Sequence, residues 1–197
     1  RAGHPFPMDL RRLMETIGHV FDDEALLRQA LVHRSFCNTF NGAGLEHNER
    51  LEFLGDAVLS LVAAEALYQE DRHADEGHLS ERRSVYVAKA SLGEGATRLD
   101  LASQLQAGGE ITAAPGGIVD SVLANTVDAI IGAAYLDGGL PAARVVVRNI
   151  LGPPPNVHAP GVKNAKSVLQ ELLQGLVAKA PHYVVTNKRG PPHAPVF

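Results

Sequence analysis

Cysteine, tryptophan and long hydrophobic runs are scarce in this sequence of 197 residues, which has one cysteine, no tryptophan, six Phe and four Tyr. Because Cys37 is alone, an intrachain disulfide framework and a four-cysteine zinc site are both excluded, and a reducing compartment is favoured. No uninterrupted apolar run approaches the roughly 18 residues that span a bilayer. Residues 1–7 also lack the apolar core of a signal peptide. We therefore expect no membrane partner.

The charge is unevenly distributed along the chain. The net charge of −4 argues against a uniformly basic nucleic-acid-binding surface. From Pro153 onward, however, five Lys and Arg residues accompany a single Glu, so this segment is +4 and the residues before it are −8. An acidic body with a basic tail indicates either two separate tasks or chance charge drift in a linker and tail, and charge alone leaves both open.

The first 151 residues are patterned almost throughout as amphipathic helices, with little alternation of period two. The periodicity predicts helices over residues 10–17, 22–32, 48–70, 79–92, 95–101, 118–136 and 140–150, with a stop at Gly138-Gly139. Residues 152–163 are rich in proline and predict a linker. Beyond them, residues 165–177 predict a helix and residues 182–187 a strand. The segment 164–197 is too short for a stable core of its own.

The predicted helix over residues 48–70 has carboxylates on one side and apolar residues on the other. At about 100° per residue, Glu52 and Asp56 fall within about 60° of Glu49. Like charges three or four residues apart repel by roughly a few tenths of a kcal/mol per pair, and a bound cation would reverse the sign. The opposite face is formed by Leu51, Leu54 and Val58.

The predicted helix over residues 118–136 repeats this design, with Asn125 and Asp128 on one side and Gly132 leaving space beside them. Packing the two helices together would bring Glu52, Asp56, Asn125 and Asp128 into one group. An all-oxygen set of this kind suits a hard cation such as Mg²⁺ or Mn²⁺. Two ordinary solvated acidic faces are the alternative, and periodicity does not decide between them. The apolar face of this helix comprises Leu123, Val127, Ile130 and Ala134.

Several segments resemble the ribonuclease III family. Residues 48–68, NERLEFLGDAVLSLVAAEALY, resemble its signature sequence. In the same order as in that family come HRSF at 33–36, DEGHLSERRSVYV at 75–87 and SVLANTVDAIIGAAYLDGG at 121–139. The tail adds KSVLQELLQ at 166–174 and GPPH at 190–193, which resemble a double-stranded-RNA-binding domain. A likeness of this length in a fixed order is far more specific than any short motif.

The resemblance implies an all-α ribonuclease III nuclease domain at residues 1–151, a linker at 152–163 and part of an α/β double-stranded-RNA-binding domain at 164–197. It implies a homodimer that cleaves double-stranded RNA with Mg²⁺, for which Mn²⁺ is a possible substitute. The products would carry 5′-phosphate and 3′-hydroxyl ends. The expected compartment is the cytoplasm.

The resemblance also implies roles for single residues. Glu52, Asp56 and Asp128 would be the catalytic carboxylates, and together with Asn125 they would hold the metal. Phe53 would enter a pocket of the partner subunit, unless it is an ordinary core aromatic. The remaining assignments are Glu49 and Glu76 as secondary acidic residues of the groove, and Gln170, Glu171 and His193 as RNA-binding residues.

Two positions depart from the family pattern. Asn125 stands where Asp is usual, and Asp128 stands where a central Glu is usual. Asp is one methylene shorter, about 1.5 Å of reach, and Mg²⁺ demands near-octahedral geometry at about 2.1 Å. The alternative hypothesis is therefore a weak or inactive ribonuclease III-like protein that binds or scaffolds RNA, for example in an organellar ribosome. That alternative would place it in a mitochondrion or chloroplast.

Overall fold

The computed structural model describes residues 9–39, 46–112 and 118–155, together with five single positions between 169 and 176. Within these ranges the chain is helical, and its one β-type pairing is a parallel bridge between Val32 and Gln106. The helices are α1 (Leu10–Ile17), α2 (Glu24–Ala30), α3 (Arg34–Thr39), α4 (Glu49–Glu70), α5 (Glu76–Tyr86), α6 (Lys89–Arg98), α7 (Leu101–Gln104), α8 (Gly109–Thr112) and α9 (Asp120–Leu151).

Helix α9 is the centre of the core. Helices α4 and α6 make its most extensive contacts, and α1 and α2 also pack against it. The predicted apolar face of its first half is confirmed, since all four of its members are buried. The prediction is incomplete, however, because Ala124, Ala129 and Ala133 on the other sides are fully buried too. The small alanines allow neighbouring helices to approach from several directions.

The length and composition of α9 would by themselves allow it to cross a membrane. A core helix of a globular domain meets the same criterion. Here α4 and α6 pack against the helix, and its Thr126 and Asp128 are buried. The surroundings of α9 in this structure are therefore those of a core helix.

The predicted stop at Gly138-Gly139 is a kink inside α9. Gly139 has φ 68° and ψ −164°, a conformation outside the helical region that glycine adopts without strain. The helix resumes at once with Pro141 in its first new turn. Asp137 fixes the kink, because its carboxylate accepts hydrogen bonds from the Asp23 amide (2.9 Å) and from His19 Nε2 (2.8 Å).

The helix predicted over residues 79–92 is wrong, because α5 ends at Tyr86 and α6 begins at Lys89. Ala88 between them is extended, with φ −62° and ψ 147°. Tyr86 near the end of α5 and Leu92 in α6 are both buried. The separate piece predicted over residues 95–101 largely belongs to α6, and the short helices α3, α7 and α8 have too few residues to show a period.

Residues up to Asn156 form one compact unit, and Val157–Phe197 form a second. The first residues of the predicted linker are attached to the helical body. Tyr86 Oη donates to the Gly152 carbonyl at 2.6 Å, and Arg82 Nη2 donates to the Pro155 carbonyl at 3.0 Å. The predicted strand over residues 182–187 lies outside the described residues. Within the helix predicted over residues 165–177, the five described positions are helical.

Candidate active site

Helices α4 and α9 cross in direct backbone contact at two glycines. A Cβ atom at Gly55 would lie 1.7 Å from the carbonyl oxygen of Asp128. A Cβ atom at Gly132 would lie 2.3 Å from the carbonyl oxygen of Leu51. Both distances are far inside van der Waals contact, so neither position accepts a larger residue without moving a helix. The crossing brings the side of α4 that carries Glu52 and Asp56 to the side of α9 that carries Asp128.

Asn48 sets the start of α4. Its side chain is almost fully buried, its backbone N–H donates to the Val32 carbonyl at 2.9 Å, and its Nδ2 donates to the Ala30 carbonyl at 3.3 Å. Its own carbonyl accepts the backbone N–H of Glu52 at 2.8 Å. The first turn of α4, which carries Glu49 and Glu52, is thereby tied to the segment after α2.

Asp128 is the most perturbed group at the crossing. Only 8% of its surface is exposed, and its Oδ1 atom is buried with no hydrogen-bond partner among the described residues. Burial, and then the neighbouring carboxylates of Asp56 and Glu52, raise the pKa of Asp128 to about 7. The three carboxylates therefore lie within electrostatic range of one another although they come from two helices.

Glu52 is half-buried on the same side of the crossing. Burial raises its pKa first, the Glu49 and Asp56 carboxylates raise it further, and the ammonium of Lys89 opposes them. Asp56, one turn later on α4, is exposed to solvent. The three carboxylates therefore differ in exposure, from the solvent-facing Asp56 to the deeply buried Asp128.

The chemistry of these donors fits a hard divalent cation. In this conformation, no three His, Cys, Asp or Glu side chains of the described ranges are close enough together to enclose an ion. The fit follows from the unpartnered Asp128 oxygen and from the mutual repulsion of the carboxylates, both of which a cation would relieve. Asn125 lies one turn before Asp128 on α9 and is half-buried.

The other predicted site residues within the described ranges are at the surface. The Glu49 carboxylate lies 3.5 Å from Arg34 Nη1 and 3.8 Å from His47 Nδ1. Glu76 lies apart from the three carboxylates, where it lines a groove with Leu61 and Tyr68 on the far half of α4 and accepts the hydroxyl of Ser80. The RNA-binding residues predicted in the tail, Gln170, Glu171 and His193, lie outside the described residues.

Phe53 is not part of the core of this chain. Its side chain is 82% exposed, although it stands between the half-buried Glu52 and Leu54 on α4. The interpretation of Phe53 as an ordinary core aromatic is therefore excluded for the single chain. An exposed phenyl ring on a rigid helix is free to contact another molecule.

Sequence reasoning assigned no role to three residues that shape the site: Asn48, Gly55 and Lys89. Gly55 was visible as the one glycine inside the predicted helix, a residue that usually marks close approach when it occurs in a helix interior. Asn48 was visible as a capping-type residue in front of it. Lys89 had no sequence signal, because its position depends on how α6 packs.

Comparison with known proteins identifies the family. Residues 23–154 match the family model described as ribonuclease-III-like. Over 192 residues the chain is 43% identical to ribonuclease 3 of Bordetella pertussis, which covers 96% of this chain and 72% of that protein. The chain belongs to the ribonuclease III family. This ribonuclease III chain is also 40% identical over 188 residues to ribonuclease 3 of Oleidesulfovibrio alaskensis, covering 94% of this chain and 82% of the relative.

Solved structures agree with the family assignment. The nuclease domain of ribonuclease III from Campylobacter jejuni superposes with a TM-score of 0.64 at 34% identity, over 72% of this chain and 93% of that one. A second structure of that domain, which concerns flexibility in a region involved in dimer formation, gives a TM-score of 0.65 and covers 96% of that chain. Membership of the ribonuclease III family supports an endoribonuclease function, and the all-helical body is the nuclease-domain fold.

Proposed function

We propose that this ribonuclease III chain is an endoribonuclease that hydrolyses double-stranded RNA with a bound divalent cation, Mg²⁺ or in its place Mn²⁺. The observation that carries the proposal is the buried Asp128 carboxylate, which lies at the Gly55–Gly132 crossing beside Glu52 and Asp56. A buried carboxylate without a partner destabilises the fold, and a bound cation would offset that cost.

Glu52, Asp56 and Asp128 would hold the cation, with the amide oxygen of Asn125 as a neutral donor. When bound, such a cation supplies Lewis-acid stabilisation of the phosphate and lowers the pKa of the attacking water. The chain itself holds the carboxylates on two rigid helices and excludes water from the Asp128 side. Hydrolysis would leave 5′-phosphate and 3′-hydroxyl ends.

We further propose that the active form is a homodimer. The support is a row of exposed apolar side chains along α4: Phe53 at 82% exposure, Leu61 at 55% and Tyr68 at 73%. Exposed apolar rows of this kind mark protein contact surfaces. In the proposed dimer Phe53 enters a pocket of the partner, Glu49 and Glu76 line the RNA groove, and two centres cut both strands to leave short 3′ overhangs. Gel filtration tests this, and a stable active monomer would contradict it.

The tail, residues 164–197, is proposed to add affinity for duplex RNA. Gln170 and Glu171 would reach 2′-hydroxyls, and His193 would enter the next minor groove, since A-form RNA is recognised largely by shape and 2′-hydroxyls. The tail is basic, with a net charge of +4 from Pro153 onward. RNA binding should accordingly weaken as salt rises.

The direct test is incubation with long duplex RNA in Mg²⁺ or Mn²⁺, followed by end analysis of the fragments. We expect short duplex products with 5′-phosphates, and no cleavage with EDTA or with Glu52→Gln. Glu94→Gln is the matched control, because Glu94 is an exposed carboxylate of α6 that takes part in none of the described ion pairs. If the RNA remains uncut in both metals while the protein still binds it in a gel shift, the nuclease function is rejected.

A non-cleaving RNA-binding scaffold is the second candidate, favoured by the short side chain of Asp128 and the neutral Asn125. The incubation with duplex RNA separates the two candidates, and Asp128→Glu tests the role of Asp128: for a nuclease the longer side chain should raise the cleavage rate or leave it unchanged. A sharp loss would mean that Asp128 has been given the wrong role. The nuclease is expected in the cytoplasm, and the scaffold in a mitochondrion or chloroplast.

A further inference from the structure

Lys89 is a cation beside the catalytic carboxylates to which the proposed reaction gives no task. It is the first residue of α6, which packs along α9, and it is exposed. One turn later Gly93 faces the start of α9, since a Cβ atom at Gly93 would lie 3.9 Å from the Cβ of Asp120. Residues four apart share one face of a helix, so Lys89 extends from the side that α6 turns towards α9.

The electrostatics place the Lys89 ammonium close to the acidic centre. Its charge is felt at Glu52 on α4 and at Asp128 on α9, where it opposes the rise in both pKa values. A lysine whose charge acts on Glu52 and on Asp128 lies within electrostatic range of both helices.

Lys89 is near these carboxylates and yet closes no ion pair with them. Among the described residues, none of the ion pairs within 4.0 Å includes Lys89, whereas Arg34 lies 3.5 Å from Glu49. An ammonium has three N–H donors and no acceptor. Those donors remain available for an anionic oxygen that enters the centre.

We propose that Lys89 binds a non-bridging oxygen of the RNA phosphate at the catalytic centre and holds the phosphodiester beside the carboxylate-bound cation. The proposal rests on the nuclease function proposed above. A phosphodiester and the carboxylates of Glu52, Asp56 and Asp128 together carry more negative charge than one divalent cation offsets. Lys89 reduces that excess only when the substrate is present, which is the condition for an effect on the rate.

Two effects of Lys89→Ala should have opposite directions. The maximal cleavage rate at saturating Mg²⁺ should fall by roughly a hundred- to a thousandfold, on the scale of losing one preorganised donor to a developing anionic charge. The affinity for Mn²⁺ without RNA, measured by calorimetry, should rise by a few fold, because a competing positive charge has left the carboxylates. Lys89→Arg should restore part of the rate.

Arg72→Ala is the matched control. Arg72 is exposed and follows α4, whose last residue, Glu70, lies about 20 Å from Asp56 at 1.5 Å per residue. It removes one positive charge from the protein without touching the centre. Its cleavage rate and its Mn²⁺ affinity should equal those of the unchanged protein.

The outcomes are distinguishable. An unchanged rate for Lys89→Ala overturns the proposal, and so does a lower rate combined with weaker Mn²⁺ binding and a lower Tm, which would indicate a structural role. If the unchanged protein fails to cut RNA, the proposed function fails instead. A gel shift with duplex RNA in Mg²⁺ then decides whether Lys89 contacts phosphate, since Lys89→Ala should weaken binding more than Arg72→Ala, and equal shifts would refute the contact.

Discussion

Asp128 should destabilise the metal-free protein at neutral and alkaline pH. Folding raises the pKa of this carboxyl from 3.8 to about 7. Below the unfolded pKa both states are protonated and there is no penalty. Between the two pKa values the folded state must hold a proton that the unfolded chain has released, so the penalty grows with pH, and above the folded pKa it stays constant.

The size of the penalty follows from the shift. About three pKa units at about 1.4 kcal/mol each give an upper limit of about 4 kcal/mol above pH 7, and less than half of that at pH 5. Part of the shift is repulsion shared with Asp56 and Glu52, so we expect about 2–4 kcal/mol at pH 8. Asp128→Asn keeps the shape and removes the charge.

Thermal unfolding in EDTA measures the effect. For a domain of this size, Asp128→Asn should raise Tm by about 5–10 °C at pH 8 and by clearly less at pH 5. Mg²⁺ should raise the Tm of the unchanged protein more than that of the variant, because the variant keeps Glu52 and Asp56 but lacks one of the three carboxylates proposed to hold the cation. Asp120→Asn, an exposed change at the start of the same helix, should leave Tm unchanged or lower it slightly. If Asp128→Asn melts at or below the unchanged protein in EDTA at pH 8, the reasoning about the buried carboxylate is refuted.

The helix crossing and the attachment of the chain after α9 give two further predictions. Gly55→Ala should lower the free energy of unfolding in urea by about 3 kcal/mol or more and abolish cleavage, because its Cβ would lie 1.7 Å from the Asp128 carbonyl oxygen. The control is Gly93→Ala, whose Cβ would have 3.9 Å of clearance and which should leave the free energy of unfolding unchanged or raise it by about 0.5–1 kcal/mol. Equal effects of the two changes would contradict the close crossing of α4 and α9. Tyr86→Phe removes the 2.6 Å hydrogen bond to the Gly152 carbonyl and should cost about 1 kcal/mol with the cleavage rate unchanged; a rate loss without a stability loss would show that the attachment serves catalysis.

Local patterns predicted the long helices well. The prediction for α1 matches both ends, and that for α4 differs by one residue, because capping residues and a 3.6-residue period act within a few residues of each other. The break between α5 and α6 was missed, since the helical periodicity of residues 79–92 is continuous. The break lies at the extended Ala88, and the residues on either side, Tyr86 and Leu92, are both buried.

The sequence by itself determined that the body up to residue 151 is largely helical, that Glu52 and Asp56 share one side of α4, and that Asn125 and Asp128 share one side of α9. These follow from the geometry of a single helix. Only the tertiary structure decided that Asp128 is buried and electrostatically coupled to the α4 carboxylates, that Lys89 stands beside them and that Phe53 is exposed. Burial and electrostatic coupling depend on which helices touch and how closely. At Gly55 and Gly132 the close approach of α4 and α9 is possible because neither residue has a side chain, and this matters only once the two helices pack against each other.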